Sequence, residues 1–490
     1  MVSMNQDIDK IASNATKWSG ITEIVAKLVT PIVSMVMARL LTPEAYGVVA
    51  TVAIVISFAE LFTDAGFQKY LIQHEFKDDQ DKEESTTVAF WSNFALSVFF
   101  WIIIALFNKP LAALVGSPGL GNVLIIAAAA IPITAFSSIQ MALYKRDFNF
   151  KTLFKIRIVG IIIPLFVTLP LAYILRNFWA IIISNLLSSL INAILLTYYS
   201  SWKPRCYFSF EKLRGMFAFS MWSMFETFSI WATSYLDIFI VSSALGAYYL
   251  GIYKTSMSIV GQITGIITAA TTPVLFSALS RLQNDEEHFK SVFFKFQKYV
   301  SILIFPVGVL LFVFSDFFTS VFLGNQWGEA SGFIGWWGLT SSFTIVLSHY
   351  SSEVYRSKGR PKLSFLAQII HLCFLVPTVL LAVKYDFQIL YISRSLVRFT
   401  MIIISFVILY CVLHFPIGEM MCNVTPSIVA ASIMGICSYF LLSLADSTLW
   451  TVVVLLLSIA IYLLIILLFP SERAIVYSFG KRIIQKKIHK

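Results

Sequence analysis

Apolar residues run along this chain in long blocks, broken at intervals by short polar segments. A helix needs about 20 residues to cross roughly 30 Å of hydrocarbon. On that rule fourteen stretches qualify: 17–38, 48–70, 88–107, 121–142, 155–175, 178–199, 215–236, 248–277, 292–314, 331–352, 363–383, 388–411, 424–443 and 448–469. The eighth is long, and Gly261, Gly265 and Pro273 mark where it would kink or break. The longest hydrophilic stretch, about 71–87, is too short to own a core, so no soluble domain is predicted. Within it, Lys77 to Glu84 has mixed charge and reads as a solvated loop.

Composition agrees with this pattern. The 490 residues are 58% hydrophobic and 13% charged, against about 25% charged in a soluble domain. The predicted fold is therefore an all-α integral membrane protein of about fourteen transmembrane helices. The net charge of +10 does not point to nucleic acid, because the basic residues collect in alternate loops. All but eight of the 36 Lys and Arg fall in the terminal segments or in every second loop. Four exceptions, Arg39, Lys109, Arg176 and Lys384, lie in the other loops, and four lie inside apolar stretches. That asymmetry predicts an even number of crossings with both termini in the cytoplasm. Asp7 and Asp9 precede the first apolar run, and no cleavage site is evident, so no signal peptide is read there.

A weak internal repeat organises the rest. With Leu41 set on Leu245, Gly47 falls on Gly251, and Ala142 to Arg146 resembles Glu353 to Ser357 at a similar offset. Helices one to six and seven to twelve then form two pseudo-symmetric lobes around a central cavity. The predicted parts are an N-terminal lobe over 1–200, a C-terminal lobe over 201–411, and two further helices with a basic tail over 412–490.

Candidate chemistry lies in ionisable residues inside the apolar stretches, which face protein interiors or wet cavities in membrane proteins. Glu23 with Lys27, Glu60 with Asp64, and Arg394 with Arg398 are each spaced i,i+4, which puts each pair on one helix face. Glu226, Lys254 and His371 are further members, with His349 and Glu353 near a helix end. Two readings compete. In one, the charges pair internally as structural glue. In the other, Lys27, Lys254, Arg394 and Arg398 line a solvated cavity that holds phosphate or pyrophosphate, which the planar Arg fork suits. Glu60, Asp64 and Glu226 are candidates for coupling to Na⁺ or H⁺. No resident cofactor or metal is predicted: the five cysteines have no paired or ligand spacing. There is no P-loop, no Gly-x-Ser-x-Gly and no His-Glu-x-x-His, so the chain does not read as an enzyme.

Lys17-Trp18-Ser19, then Ala38 to Gly47, then Asp64-Ala65-Gly66-Phe67 followed by Leu71-Ile72-Gln73 carry a sharper signal. This part of the chain resembles the Wzx-type oligosaccharide flippases. They are the polysaccharide exporter branch of the multidrug/oligosaccharidyl-lipid/polysaccharide exporter superfamily. The resemblance implies translocation of undecaprenyl-pyrophosphate-linked repeat units across a bacterial inner membrane, by alternating access. It implies a lipid-linked oligosaccharide as substrate, membrane lipids as surroundings and the polysaccharide polymerase machinery as a partner. Arg39, the one cation within the motif, becomes a candidate gate residue. Three alternatives stay open: an ion-coupled multidrug extruder of the same superfamily, a lipid II flippase, and a non-transporting scaffold. A carboxylate- and aromatic-dominated cavity would favour the extruder, and a mid-membrane charged cleft argues against the scaffold.

Overall fold

The computed structural model describes residues 25–27, 29–64, 66–147, 149–360 and 362–475, with the side chains of Asp64, Gln73, Ile161, Pro164, Leu165 and of 218–226 also outside the description. Glu23 lies outside it, so its pairing with Lys27 does too. The described chain is helical almost throughout. It divides into two compact units, Met1–Lys254 and Thr255–Lys490.

In the first unit the helices are α1 (29–40), α2 (Pro43–Asp64), α3 (Phe67–Gln73), α4 (Asp79–Leu106), α5 (Asn108–Leu114) and α6 (Gly121–Ala128). They continue with α7 (Ala130–Arg146), α8 (Phe150–Ile163), a π turn at Pro164–Thr168, α9 (Leu169–Leu175) and α10 (Trp179–Tyr199). The helix α11 (Phe210–Arg281) contains the boundary between the units. The second unit adds α12 (Glu286–Val313), α13 (Ser315–Phe322), α14 (Ala330–Thr344), a π turn at Ile345–His349 and α15 (Ser351–Ser357). It closes with α16 (Lys362–Ala382), α17 (Phe387–Leu396), α18 (Phe399–Leu413), α19 (Ile417–Leu442) and α20 (Thr448–Ile466). Polar residues between the apolar runs start several of them. Asp78, Asp285, Asp386 and Ser447 each accept a hydrogen bond from a backbone N–H in the following first turn.

Over their described residues the fourteen apolar stretches are mostly helical, with breaks that include Gly66, Ala129 and Val397–Arg398. Among the described residues, ten helical stretches are long and apolar enough to cross a membrane. One of these, Thr227–Arg281, has 55 residues and would extend about 80 Å if straight, far beyond a bilayer. It is not straight. Gly246 has φ 76° and ψ −176°, a conformation open in practice to glycine alone. The Tyr253 hydroxyl donates to Asp237 Oδ2 at 2.9 Å, although sixteen residues of helix would separate them by about 24 Å. So α11 is a hairpin folded at Gly246. Beyond that turn the backbone stays helical through Gly261, Gly265 and Pro273, so the break expected there is absent.

Within the first unit, alternate loops meet at opposite ends. At one end, Ser242 near the α11 turn donates to the Val115 carbonyl at 2.5 Å and pairs with Thr51 Oγ1 at 3.2 Å. At the other end, Lys212 Nζ lies 2.7 Å from Asp81 and 2.9 Å from Glu84, Arg205 pairs with Glu83 at 2.9 Å, and Lys82 with Asp147 at 3.4 Å. Arg146 donates from the end of α7 to the carbonyls of Leu71 and His74, at 2.6 and 2.8 Å. This basic end corrects one expectation. The stretch from Asp79 to Glu84 is the first two turns of α4, held by ion pairs, and not a solvated loop. Burial tends to lower the pKa of Lys212, but its hydrogen bonds to Asp81 and Glu84 outweigh that and raise it above the usual lysine value.

The second unit repeats this division. Lys358 donates to the Gln283 carbonyl at 2.8 Å, and the fully buried Glu472 pairs with Lys298 at 3.0 Å. Toward the other end Phe333 stacks on Tyr391, with ring centres 5.7 Å apart. Its core joins α12, the π turn after α14, α18 and α19 through Phe293, Phe305, Val346, Leu409 and Met434.

Candidate functional site

The α11 hairpin brings candidate residues together in the first unit. Tyr235, on the first arm, takes the Lys254 ammonium of the second arm over its ring, 5.3 Å from the centroid. Two residues on, Asp237 is fully buried, and the hydroxyl of the equally buried Tyr253 donates to it. Lys254 is half-buried and within Coulombic reach of Asp237. A buried carboxylate needs such partners, because desolvation otherwise disfavours its charge.

The same arm lies against α2. Trp231 Nε1 donates to Ser57 Oγ at 3.0 Å, and its ring packs on Phe58. One turn along from Ser57, Glu60 is exposed into two cavities. The smaller, about 220 Å³, places Glu60 in a common wall with Tyr235 and Asn185. The larger, about 340 Å³, is lined by Glu60, Thr63, Gln68, Asn93, Thr134 and Thr227, among others. Glu60 and Lys254 thus belong to one neighbourhood around Tyr235. Asp237 was missed in the sequence because the seventh stretch was ended at 236, one residue short.

Arg394 and Arg398 sit in the second unit, at the end of α17. Both guanidinium groups lie over the Trp337 ring of α14, at 4.8 and 4.0 Å from its centre, and Arg398 donates to Ser341 Oγ at 2.5 Å. Arg394 is buried and Arg398 half-buried. Stacking on a π face relieves part of the cost of placing two like charges one helical turn apart. Nothing in the sequence singled out Trp337 among eleven tryptophans.

The structure places the remaining candidates individually. Lys27 is half-buried before α1, and Arg39 is exposed at the end of that helix. The backbones of Asp64 and Glu226 are helical, but their side chains lie outside the described residues. His371 is buried and shares a 2.7 Å hydrogen bond with Thr400 Oγ1. His349 lies 3.4 Å from Thr272 Oγ1, and buried Glu353 accepts from Arg356 at 3.2 Å. Among the described residues no three or more His, Cys, Asp or Glu gather as a metal site would require.

Comparison with known proteins supplies the family. A model of the family described as "Polysaccharide biosynthesis protein" matches residues 36–332. An uncharacterized membrane protein in the cps region of Klebsiella pneumoniae is 23% identical over 319 residues, covering 64% of each chain. The succinoglycan biosynthesis transport protein ExoT of Rhizobium meliloti is 23% identical over 64% of this chain and 63% of its own. The lipopolysaccharide biosynthesis protein WzxC of Escherichia coli is 21% identical over 66% of this chain and 65% of its own. The chain thus spans just under two thirds of the length of these relatives. Among solved structures, the lipid II flippase MurJ in an inward closed conformation superposes with a TM-score of 0.73 at 15% identity, over 94% of this chain and 100% of that one. An inward-facing multidrug resistance transporter of the MATE family gives 0.58 at 14% identity, over 83% and 98%. At these identities the likeness is one of fold. The chain is a multi-pass all-α membrane protein that belongs to the polysaccharide biosynthesis protein family.

Proposed function

We propose that this protein moves a lipid-linked oligosaccharide, carried on undecaprenyl pyrophosphate, across the bacterial inner membrane by alternating access. The observation that carries the proposal is the family match over residues 36–332. The named relatives, described as a succinoglycan transport protein and a lipopolysaccharide biosynthesis protein, support a glycan as cargo. Physics supplies the need. A sugar chain and a pyrophosphate cannot enter about 30 Å of hydrocarbon unaided, whereas the polyprenyl tail is at home there. The task is one of transport and not of bond chemistry, and this chain acts as a transporter and not an enzyme.

In this proposal fourteen helices form two lobes with both termini in the cytoplasm. Lys27, Lys254, Arg394 and Arg398 supply the positive charge that receives the pyrophosphate, and Arg39 gates the opposite end. Undecaprenyl pyrophosphate, the central cavity and a polymerase partner belong to the proposal. A second reading, extrusion of cations coupled to Na⁺ or H⁺, is favoured by one feature. Glu60 lines two cavities, and with Asp64 and Glu226 it would be the coupling group.

The test is translocation of a fluorescent undecaprenyl-pyrophosphate oligosaccharide in proteoliposomes, with Lys254→Gln and Arg394→Gln/Arg398→Gln beside the wild type. Loss of about tenfold or more in rate, in variants that melt like wild type, is the expected result. Unchanged rates would return these cations to a purely structural role.

A further inference from the structure

Three helices of the first unit turn faces of mixed polar and apolar residues toward one another. On α7, Thr134, Ser138, Met141 and Lys145 recur at intervals of three or four residues, which is one side of a helix. On α8, Phe150, Phe154 and Arg157 do the same, followed by Gly160, and on α10 so do Ser189, Asn192 and Leu196. These stripes meet around a cavity of about 760 Å³, within the range of about 300–1,000 Å³ that small-molecule sites occupy. All of its lining belongs to residues 68–196, inside the first unit.

We propose that this cavity is a binding site for a phosphorylated sugar, with Lys145 and Arg157 on the phosphate and Asn192, Ser189 and Gln68 on the sugar hydroxyls. The lining holds two cations, Lys145 and Arg157, whose charge and N–H donors suit a phosphate. The amides and hydroxyls supply donors and acceptors, and the Phe150 and Phe154 rings offer apolar faces to the C–H side of a pyranose. Gly160 faces Asn192 across the wall, since a Cβ there would stand 3.4 Å from the Asn192 amide. Lys145 sits at the basic end, in the last turn of α7 near the ion pair of Lys82 with Asp147, and Arg157 lies midway along α8. From Lys145 to Thr134 is eleven residues, about 16 Å along the axis, or half of the hydrocarbon core.

At its inner limit the cavity shares Gln68, Thr134 and Ser138 with the 340 Å³ cavity that holds Glu60. That cavity shares Ser57 and Glu60 with the one walled by Tyr235. Shared wall residues therefore link the three cavities in sequence from Lys145 to the α11 hairpin. The site itself stands on its own lining, and its role as the first station of a transported headgroup rests on the transport proposal above.

The test is binding to the full chain in zwitterionic nanodiscs. The probes are farnesyl-pyrophosphoryl-N-acetylglucosamine, N-acetylglucosamine 1-phosphate and farnesyl pyrophosphate. Lys145→Gln/Arg157→Gln is expected to weaken the first about tenfold or more. Asn192→Leu should weaken the two sugar-bearing probes and spare farnesyl pyrophosphate. Lys109→Gln/Lys384→Gln, which removes equal charge elsewhere, should change nothing. Comparable affinity for the free sugar phosphate would assign the site to a soluble ligand, and preference for the prenyl form to a lipid-linked one. An unchanged Kd in Lys145→Gln/Arg157→Gln, or an equal loss in the charge control, would overturn the site. Glycolipid translocation by wild type alongside such an unchanged Kd would remove the site and leave the transport proposal intact. Binding that depends on these residues, with no translocation, would do the reverse.

Discussion

Gly47 and Gly251 occupy equivalent places in the repeated segments, and the structure sets them in reciprocal contact. A Cβ on Gly47 would strike the Ala247 carbonyl, and a Cβ on Gly251 would strike the Pro43 carbonyl. Pro43 and Ala247 are themselves equivalent under the same offset. Each loop therefore presses its glycine against the other's backbone, the self-complementary contact that a two-fold relation produces. Gly47→Ala and Gly251→Ala should each destabilise by about 1–3 kcal/mol, because backbone cannot yield as a side chain would. Gly261→Ala, where nothing lies within 4 Å, should be neutral or gain up to about 1 kcal/mol from helix propensity. Thermal melts in detergent check all three, and equal effects would remove the contact from the account. The sequence made this repeat visible, but not that its two copies touch. Charged residues inside apolar runs were equally visible, since charge in hydrocarbon has few innocent explanations. Trp337 was not, because its role depends on two arginines brought to it from α17.

Helices obeyed the apolar pattern closely, for a physical reason. In hydrocarbon a backbone N–H has no partner but its own helix, so each long apolar run must be helical. The same rule explains why α11 continues through Gly261, Gly265 and Pro273, where propensity in water would suggest a break. What ends its first arm is Gly246, whose backbone conformation is denied to residues with a side chain. Gly246→Ala should cost about 1–3 kcal/mol, although its surroundings are open. A melt that matched wild type would mean the hairpin does not depend on that conformation. The π turns at Pro164–Thr168 and Ile345–His349 had no signature in the sequence. The ion pairs at the start of α4 had the right residues but no indication of partners 65 to 131 positions away. There, the raised pKa of Lys212 sets a sign. Its contribution is complete below the unfolded lysine value of about 10.4 and is lost as pH rises through the higher folded value. Lys212→Gln should therefore lower the melting temperature at neutral pH, with the difference from wild type shrinking only in strongly alkaline buffer. A difference that vanished already near neutrality would contradict this.

For the whole molecule, the alternation of basic and non-basic loops has a counterpart in each unit. Loops carrying Lys and Arg meet at one end, and the α11 turn meets the Val115 loop at the other. Loop charge is legible in sequence because insertion selects it. The cavities are not legible, because each is walled by three or more helices whose polar stripes are short and separated by apolar turns. Their polar walls matter to the account only if a glycan headgroup passes along them. The direct measurement is the rate at which the purified wild-type chain moves a fluorescent undecaprenyl-pyrophosphate oligosaccharide between leaflets, beside uptake of a cationic dye in parallel vesicles. The account predicts glycolipid movement well above protein-free vesicles and no uptake of the dye. Dye uptake driven by an ion gradient, with the glycolipid left in its original leaflet, would contradict it.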